Sequence, residues 1–245
     1  MKIAVFSDTH NGHKQIKLPE CDIAIFAGDA TSVGHKHEVE SFLNWYGKQH
    51  QCKHKVFIAG NHDKSFDKKF YHSFEDHDLF KENEHLGKPG WLVDMLERAR
   101  VVFQIHYLEN SSVILEGIKI WGSPITPSFF RQYWAFNADR NEEIRTYWDK
   151  IPLDTNIVVT HGPVHGKLDY IPETSEYVGC VDLKAKIEEI NPMLFVCGHI
   201  HSGRGIFRTD KTFYVNASIM DNTYNKQGEP MIFNVDVDKM VMDFR

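Results

Sequence analysis

The chain has 245 residues, 42% of them hydrophobic, with a formal net charge of −6 and a pI near 6.2. That length allows one large α/β domain or two small ones, with a core that needs no disulfide or structural metal to hold it. The absence of any block of Lys or Arg argues against a protein bound mainly to a nucleic-acid backbone, which needs a basic face; a small charged substrate stays open, because bound metal ions would add positive charge.

The chain opens Met1-Lys2-Ile3-Ala4-Val5-Phe6-Ser7-Asp8, and its first apolar run is only four residues long. That is too short for a secretory signal core, and no stretch approaches the ~18 apolar residues of a membrane span. A cytoplasmic setting, or one comparably reducing, is expected. The cysteines Cys21, Cys52, Cys180 and Cys197 show no C-x-x-C spacing. Small buried thiols are expected there, with no redox role.

In chain order, apolar runs rich in Val, Ile and Phe predict buried strands at Lys2 to Phe6 and Asp22 to Ala27. His37 to His50 has Val39, Phe42, Leu43 and Tyr46 at one-face spacing and predicts a helix. A strand follows over Lys55 to Ala59. Lys64 to Pro89 is aromatic and charged without clear period, and reads as an excursion on the surface. Trp91 to Ala99 predicts a short helix, Ser112 to Trp121 a strand, Glu142 to Trp148 a helix and Asn156 to Thr160 a strand. The helix over Val181 to Ile190 is stopped by Asn191-Pro192. Strands at Met193 to Cys197 and Thr212 to Ala217 lead to a hairpin of Met231 to Val237 with Met240 to Phe244. Alternating strands and helices followed by a strand-rich end predict α/β layers with mixed sheets. With no repeat and no Gly/Ser-rich break, residues 1–245 read as a single domain.

Five of the predicted strands end in Asp, Asn or His. Asp8-Thr9-His10 follows the first, Gly28-Asp29 the second, Gly60-Asn61-His62-Asp63 the third, Thr160-His161-Gly162-Pro163 the fourth and Gly198-His199-Ile200-His201 the fifth. In open α/β sheets ligands bind beyond the carboxyl ends of the strands. Residues two apart on an extended chain point to one side, so Asp8 and His10 reach one point, as do His199 and His201. A lone D-x-H or G-D is weak. Three Asp and five His buried together without a cation would carry a large desolvation cost, so the set points to metal. Carboxylate, amide and imidazole with no thiolate suit Mn²⁺, Fe or Zn²⁺ better than a closed structural zinc site. Two cations ~3.5–4 Å apart can clamp the attacking and leaving oxygens of an in-line displacement.

The order D-x-H, G-D, G-N-H-D, H, G-H-x-H resembles the calcineurin-like metallophosphoesterase superfamily over nearly the whole chain. Gly122-Ser123-Pro124, Trp134-Ala135-Phe136-Asn137, Val178-Gly179-Cys180 and Val215-Asn216-Ala217-Ser218 are similar to its metallophosphoesterase-domain-containing, brain-type branch. The resemblance implies a four-layer α/β/β/α sandwich of two mixed sheets flanked by helices. It implies a first metal held by Asp8, His10 and His201, a second by Asn61, His161 and His199, and Asp29 bridging both. His62 would contact the substrate phosphate and Asp63 would orient it. Some brain-type members lack the full G-H-x-H and are impaired; both histidines are present here. The implied reaction is phosphoester hydrolysis by a metal-bridging hydroxide. The substrate would be a small phosphate ester, most readily a nucleotide and among these a cyclic one, including 2′,3′-cyclic esters. The residues also leave open a nuclease of the same superfamily or a catalytically weak nucleotide-binding module. Stable nucleic-acid binding and membrane association are not expected.

At the rim, Phe129, Phe130, Tyr133, Trp134 and Phe136 either pack in the core or stack a base, and Arg131 either faces solvent or pairs with a phosphate. His165 departs from the apolar residue usual in that branch and is a rim candidate. Asn216 and Asp221 are candidates for hydrogen bonds to ligand residues. His13, His35, His37, His72, His77 and His85 fall in polar contexts and are expected to be exposed.

Overall fold

A computed structural model describes residues 1–73, 90–130, 133–239 and 241–244. The first strand, β1 (Lys2–Phe6), forms as expected. Its residues alternate between two apolar clusters, Ile3 and Val5 in one and Ala4 and Phe6 in the other. That is the period of a strand buried on both faces. In chain order there follow β2 (Cys21–Ala27), α1 (Lys36–Gly47), β3 (Cys52–Ile58), α2 (Lys68–Ser73), α3 (Gly90–Phe103), β4 (Ile105–Tyr107), β5 (Ser111–Leu115) and β6 (Ile118–Ser123). Next come β7 (Thr126–Pro127), β8 (Asn137–Ala138), α4 (Glu142–Trp148), β9 (Ile157–Thr160), β10 (Tyr170–Ile171), β11 (Glu176–Tyr177) and α5 (Val181–Ile190). The last are β12 (Leu194–Cys197), β13 (Gly205–Arg208), β14 (Phe213–Asn216), β15 (Met231–Asp236) and β16 (Val241–Phe244).

Two six-stranded mixed sheets result, ordered β16-β15-β1-β2-β3-β4 and β13-β14-β12-β9-β6-β5. β1 to β4 run parallel, and so do β14, β12, β9 and β6, with antiparallel strands added at the edges. Ile3, Val5, Ile25 and Val56 of the first sheet share one cluster with Ile120, Ile157, Val159 and Val196 of the second. On the outer faces, Phe26 and Phe57 pack against Phe42 of α1, and Trp121 meets Trp148 of α4. Helices therefore flank both sheets, giving the expected four layers. The buried Tyr46 hydroxyl of α1 lies 2.9 Å from Ala24 O and 3.1 Å from Val56 O, which offsets the cost of burying it.

Several expectations change. Ser112 to Trp121 is a hairpin, β5 and β6, turning at Glu116 and Gly117 with φ of 50° and 80°. Left-handed conformation at both turn residues matches the twist of the flanking strands. α3 continues past Ala99 to Phe103. Lys64 to Ser73 is a 3-10 turn followed by α2, and Phe66 and Phe70 are buried in it, because their rings complete the core beside β3. The remainder of that segment, with His77 and His85, lies outside the described residues, as does Met240. His72 falls within α2. His13 is buried rather than exposed, covered by the rings of Phe42 and Trp45, with Nε2 3.1 Å from Ser41 Oγ. His35 is half-buried at the start of α1, whereas His37 is exposed within it. All four cysteines are free and buried, and Cys21 sits opposite Cys52 in the β2–β3 ladder. Among the described residues no helix is long and apolar enough to cross a membrane.

Candidate metal centre

The parallel strands of both sheets deliver their carboxyl ends to one rim. Asp8 and His10 follow β1, Asp29 follows β2, Asn61 to Asp63 follow β3, His161 follows β9, and His199 and His201 follow β12. The side chains do converge, but not by strand alternation. Asp8, His10, Asp29 and His199 have φ of 53°, 39°, 59° and 67°, so the chain turns left-handed directly beyond β1, β2 and β12. Such residues cost on the order of 1–3 kcal/mol each and persist where the surroundings over-determine them. Here the backbone supplies the compensation. Asp8 N donates to Gly28 O at 2.9 Å and His10 N to Asp29 O at 3.1 Å, zipping the β1 and β2 loops together.

The glycines next to these residues answer a close approach. A Cβ at Gly60 would collide with the Asp29 carboxylate, and one at Gly198 with the Asp8 carboxylate. Gly198→Ala is therefore expected to leave the fold intact while weakening metal affinity by roughly 10- to 100-fold, the range for disturbed ligand supports. Calorimetric titration of the metal-free variant with Mn²⁺, beside its circular dichroism, measures this; wild-type affinity would mean that Asp8 has no role there.

Three groups of ligand atoms form, each within 4.8 Å: Asp8, His10 and His201; Asp29, His161 and His199; and His10, Asp29 and His62. Asp29 Oδ2 links them, 3.2 Å from His161 Nε2 and 3.8 Å from His10 Nε2. Asn61 Oδ1 is 2.9 Å from the same His161 nitrogen. His10 Nε2 and His201 Nε2 face each other at 3.2 Å, and His201 Nε2 lies 3.5 Å from Asp8 Oδ1.

Backbone carbonyls fix the tautomers, since a carbonyl can only accept. His161 Nδ1 donates to Ala27 O at 2.9 Å, His201 Nδ1 to Asp221 O at 2.9 Å and His62 Nδ1 to Ser32 O at 2.7 Å. Each ring so held keeps Nε2 for the centre, as metal-ligating histidines do. Around Asp8, Ser7 Oγ and Ser218 Oγ donate to Oδ2, and His199 N donates to Oδ1 at 3.0 Å.

These contacts crowd acceptors onto nitrogens that already have a proton on the far side. In the metal-free chain, added protons relieve this. Burial disfavours the charged form of His161, but the charge and hydrogen bond of Asp29 outweigh it and push the group up to about 9. Burial likewise opposes His201, and its hydrogen bond to Asp8 carries it up to about 8. Burial would raise Asp8 and Asp29, yet His201 and His161 hold them below the usual carboxylate range. Burial takes His10 down to about 4 and, with the charge of His161, His199 down to about 3. His10 Nδ1 is buried and finds no hydrogen-bond partner among the described residues. Divalent cations among these atoms would replace the added protons, and the hard oxygen and imidazole donors fit them.

A cavity of about 300 Å³ opens over the centre, lined by Asp29, Asn61, His62, His199 and His201 and walled by Phe129, Trp134, Ile171 and Tyr224. The aromatic run is divided. Trp134 lies on His62 with ring centroids 4.1 Å apart and Phe129 is 5.0 Å from His199, whereas Ala135 and Phe136 enter the core and Phe130 and Tyr133 face outward. Arg131 lies outside the described residues. Ser32 O holds the His62 ring through Nδ1, and the Asp63 carboxylate bonds to the loops around it. That carboxylate accepts from Thr31 N at 3.0 Å, Thr31 Oγ1 at 2.7 Å and Gly60 N at 2.9 Å, tying the β2 and β3 loops. Burial, with the Asp29 charge adding, pushes Asp63 up to about 7. Asn216 Nδ2 donates to Ile200 O at 2.7 Å and so supports the G-H-x-H backbone, and Asp221 serves His201 through its carbonyl rather than its carboxylate. His165 does not line the cavity; its Nδ1 is 3.8 Å from Asp169. Tyr224, not singled out by the sequence, does line it.

Known proteins resemble this chain over most of its length. Residues 1–203 match the calcineurin-like phosphoesterase family model. The chain is similar to human metallophosphoesterase domain-containing protein 1, with 33% identity over 238 residues, covering 94% of this chain and 69% of that one. It is 28% identical to a UPF0046 protein of Caenorhabditis elegans over 236 residues, covering 96% and 75% of the two chains. A solved crystal structure superposes with a TM-score of 0.64 at 13% identity, covering 100% of this chain and 98% of that one, which shows the shared fold.

Proposed function

Since the chain belongs to the calcineurin-like phosphoesterase family of metal-dependent phosphoester hydrolases, we propose that it is a phosphodiesterase of small nucleotide esters, cyclic ones included. The observation that carries the two-cation part of this reading is Asp29, whose Oδ2 lies 3.2 Å from His161 Nε2 and 3.8 Å from His10 Nε2, so that its carboxylate could serve both candidate ligand sets. Asp8, His10 and His201 would hold one cation, Asn61, His161 and His199 the other, with Mn²⁺ first and Fe or Zn²⁺ as alternatives. The bound pair would act as Lewis acids on the phosphoryl oxygens and make hydroxide available near neutral pH.

The protein's own groups do the rest. His62, with Nδ1 on Ser32 O and its ring on Trp134, offers Nε2 to the leaving oxygen as a proton donor or to the charge growing on the phosphoryl group. Asp63 keeps the loops carrying Asp29 and His62 in register. The shared inter-sheet core supports reading 1–245 as a single domain, and the four free thiols suit a cytoplasmic setting.

Metal analysis of the purified protein, beside turnover of nucleotide mono-, di- and cyclic esters with Mn²⁺, tests the proposal. Two metals per chain and turnover of cyclic nucleotides are the expected result. Nucleotide binding without turnover of any ester would reduce the protein to a binding module.

Selectivity beyond phosphate must come from the cavity wall. A base stacked on an aromatic ring is worth about 1–3 kcal/mol, so nucleotide diesters should exceed glycerol diesters in kcat/KM by roughly 5- to 150-fold. Trp134→Ala, and to a lesser degree Phe129→Ala, should erode that preference through KM while sparing small aryl esters. Equal loss on every substrate would make the two rings structural.

A further inference from the structure

We infer that Tyr224 determines specificity for a planar base, its ring forming a second aromatic wall of the cavity that holds Trp134; this rests on the nucleotide reading of the site. The first observation is conformational. Tyr224 has φ of 61°, a left-handed backbone that a bulky aromatic side chain rarely adopts. Asn222 and Asn225 occupy the same turn, and asparagine visits this region far more readily, yet the tyrosine holds the left-handed position.

The turn is built to keep it there. Tyr224 N donates to Asp221 O at 2.9 Å, and Asp221 N donates to Asn225 O at 2.8 Å. Asp221 Oδ1 accepts from Thr223 N at 2.8 Å, Thr223 Oγ1 at 2.7 Å and Asn225 N at 3.0 Å. The same Asp221 carbonyl accepts from His201 Nδ1, so the turn that presents the tyrosine also orients a candidate ligand.

The second observation is the ring's placement. It stands at 86° to His10 with centroids 4.9 Å apart and at 90° to His201 with centroids 5.8 Å apart. Two imidazoles thus fix its plane, while 55% of the residue stays exposed at the cavity mouth. Ring contacts run from Trp134 to His62 to His10 to Tyr224, so the two aromatic rings flank the histidine pair. A phosphate at the centre would leave its base in the cavity that both rings line. Backbone strain at a ligand-lining residue is the kind that function retains.

The test compares equilibrium binding of AMP and of ribose 5-phosphate, which lacks only the base, to Mn²⁺-loaded protein by calorimetry. Tyr224→Gly, which suits the left-handed backbone, should weaken AMP by at least about fivefold and leave ribose 5-phosphate within about twofold. Tyr224→Phe keeps the ring and should bind both as the wild type does. The thermal midpoint of metal-free Tyr224→Gly should not fall, because the strained residue is gone. Equal weakening of both ligands, a phenylalanine variant as weak as the glycine one, a fall of several degrees in the midpoint, or no AMP binding by the wild type would each overturn the inference. AMP binding lost on Tyr224→Gly in a protein that turns over no ester would uphold it and refute the hydrolase reading instead.

Discussion

Asp29→Asn should cost the centre at least one of its metals. Metal content is expected to fall from two ions per chain to one or fewer, and activity by roughly 10³-fold or more, because both cations and their charge stabilisation are compromised together. The geometry explains why so small a change matters. Asp29 Oδ1 is occupied by the His62 backbone N–H at 2.8 Å, which an amide oxygen can still accept. That places the new NH₂ where Oδ2 stood, among His161 Nε2 and His10 Nε2, and an amide nitrogen carries no lone pair for a cation. The fold should survive. In the metal-free chain burial opposes the charged form of His161 and Asp29 is what raises it, so without that charge the imidazole stays neutral and no buried ion is left unpaired. Elemental analysis and circular dichroism of the variant measure both halves of the expectation. Two bound metals with near-normal turnover would remove Asp29 from any bridging role.

The residues of this centre were legible in the sequence because buried parallel strands write themselves as continuous apolar runs, and each run here stops at its polar residue. β1 has the expected bounds, and β2, β3, β9 and β12 differ from theirs by a few residues. What the pattern could not carry is backbone handedness. Nothing in Asp8-Thr9-His10 announces φ above zero at both ends of the motif, since that conformation is imposed by hydrogen bonds to Gly28 and Asp29 across the loop. Extended alternation was therefore the wrong route to a convergence that does occur. Sheet order was equally hidden: β15, near the end of the chain, pairs with β1, and only the packed structure brings them together. Tyr224 escaped notice for both reasons at once. It belongs to a polar turn without periodicity, and its approach to His10 joins residues far apart in the chain.

His62→Asn should separate holding the metals from using them. The variant is expected to keep both ions and to lose roughly 10² to 10⁴ in kcat, the range for a positioned acid. The structure makes this a real test, because His62 joins His10 and Asp29 in a group of ligand atoms within 4.8 Å. Against ligation stands the support of the ring. Its Nδ1 bond to Ser32 O at 2.7 Å leaves Nε2 open to either role, but Trp134 lies on the ring at 4.1 Å and lines the same cavity, which suits a group that meets the substrate. An asparagine amide can still donate toward Ser32 O, so the loop should hold. The leaving group then distinguishes the two remaining roles. If Nε2 delivers a proton to the departing oxygen, the loss should be large for a ribose or alkyl leaving group, which is expelled poorly as an alkoxide. It should be small for a nitrophenyl group, which departs readily as the anion. If the imidazolium instead stabilises charge on the phosphoryl oxygens, both esters should lose alike, since that charge grows whichever group leaves. Loss of one metal in the variant would contradict both roles and place His62 among the ligands.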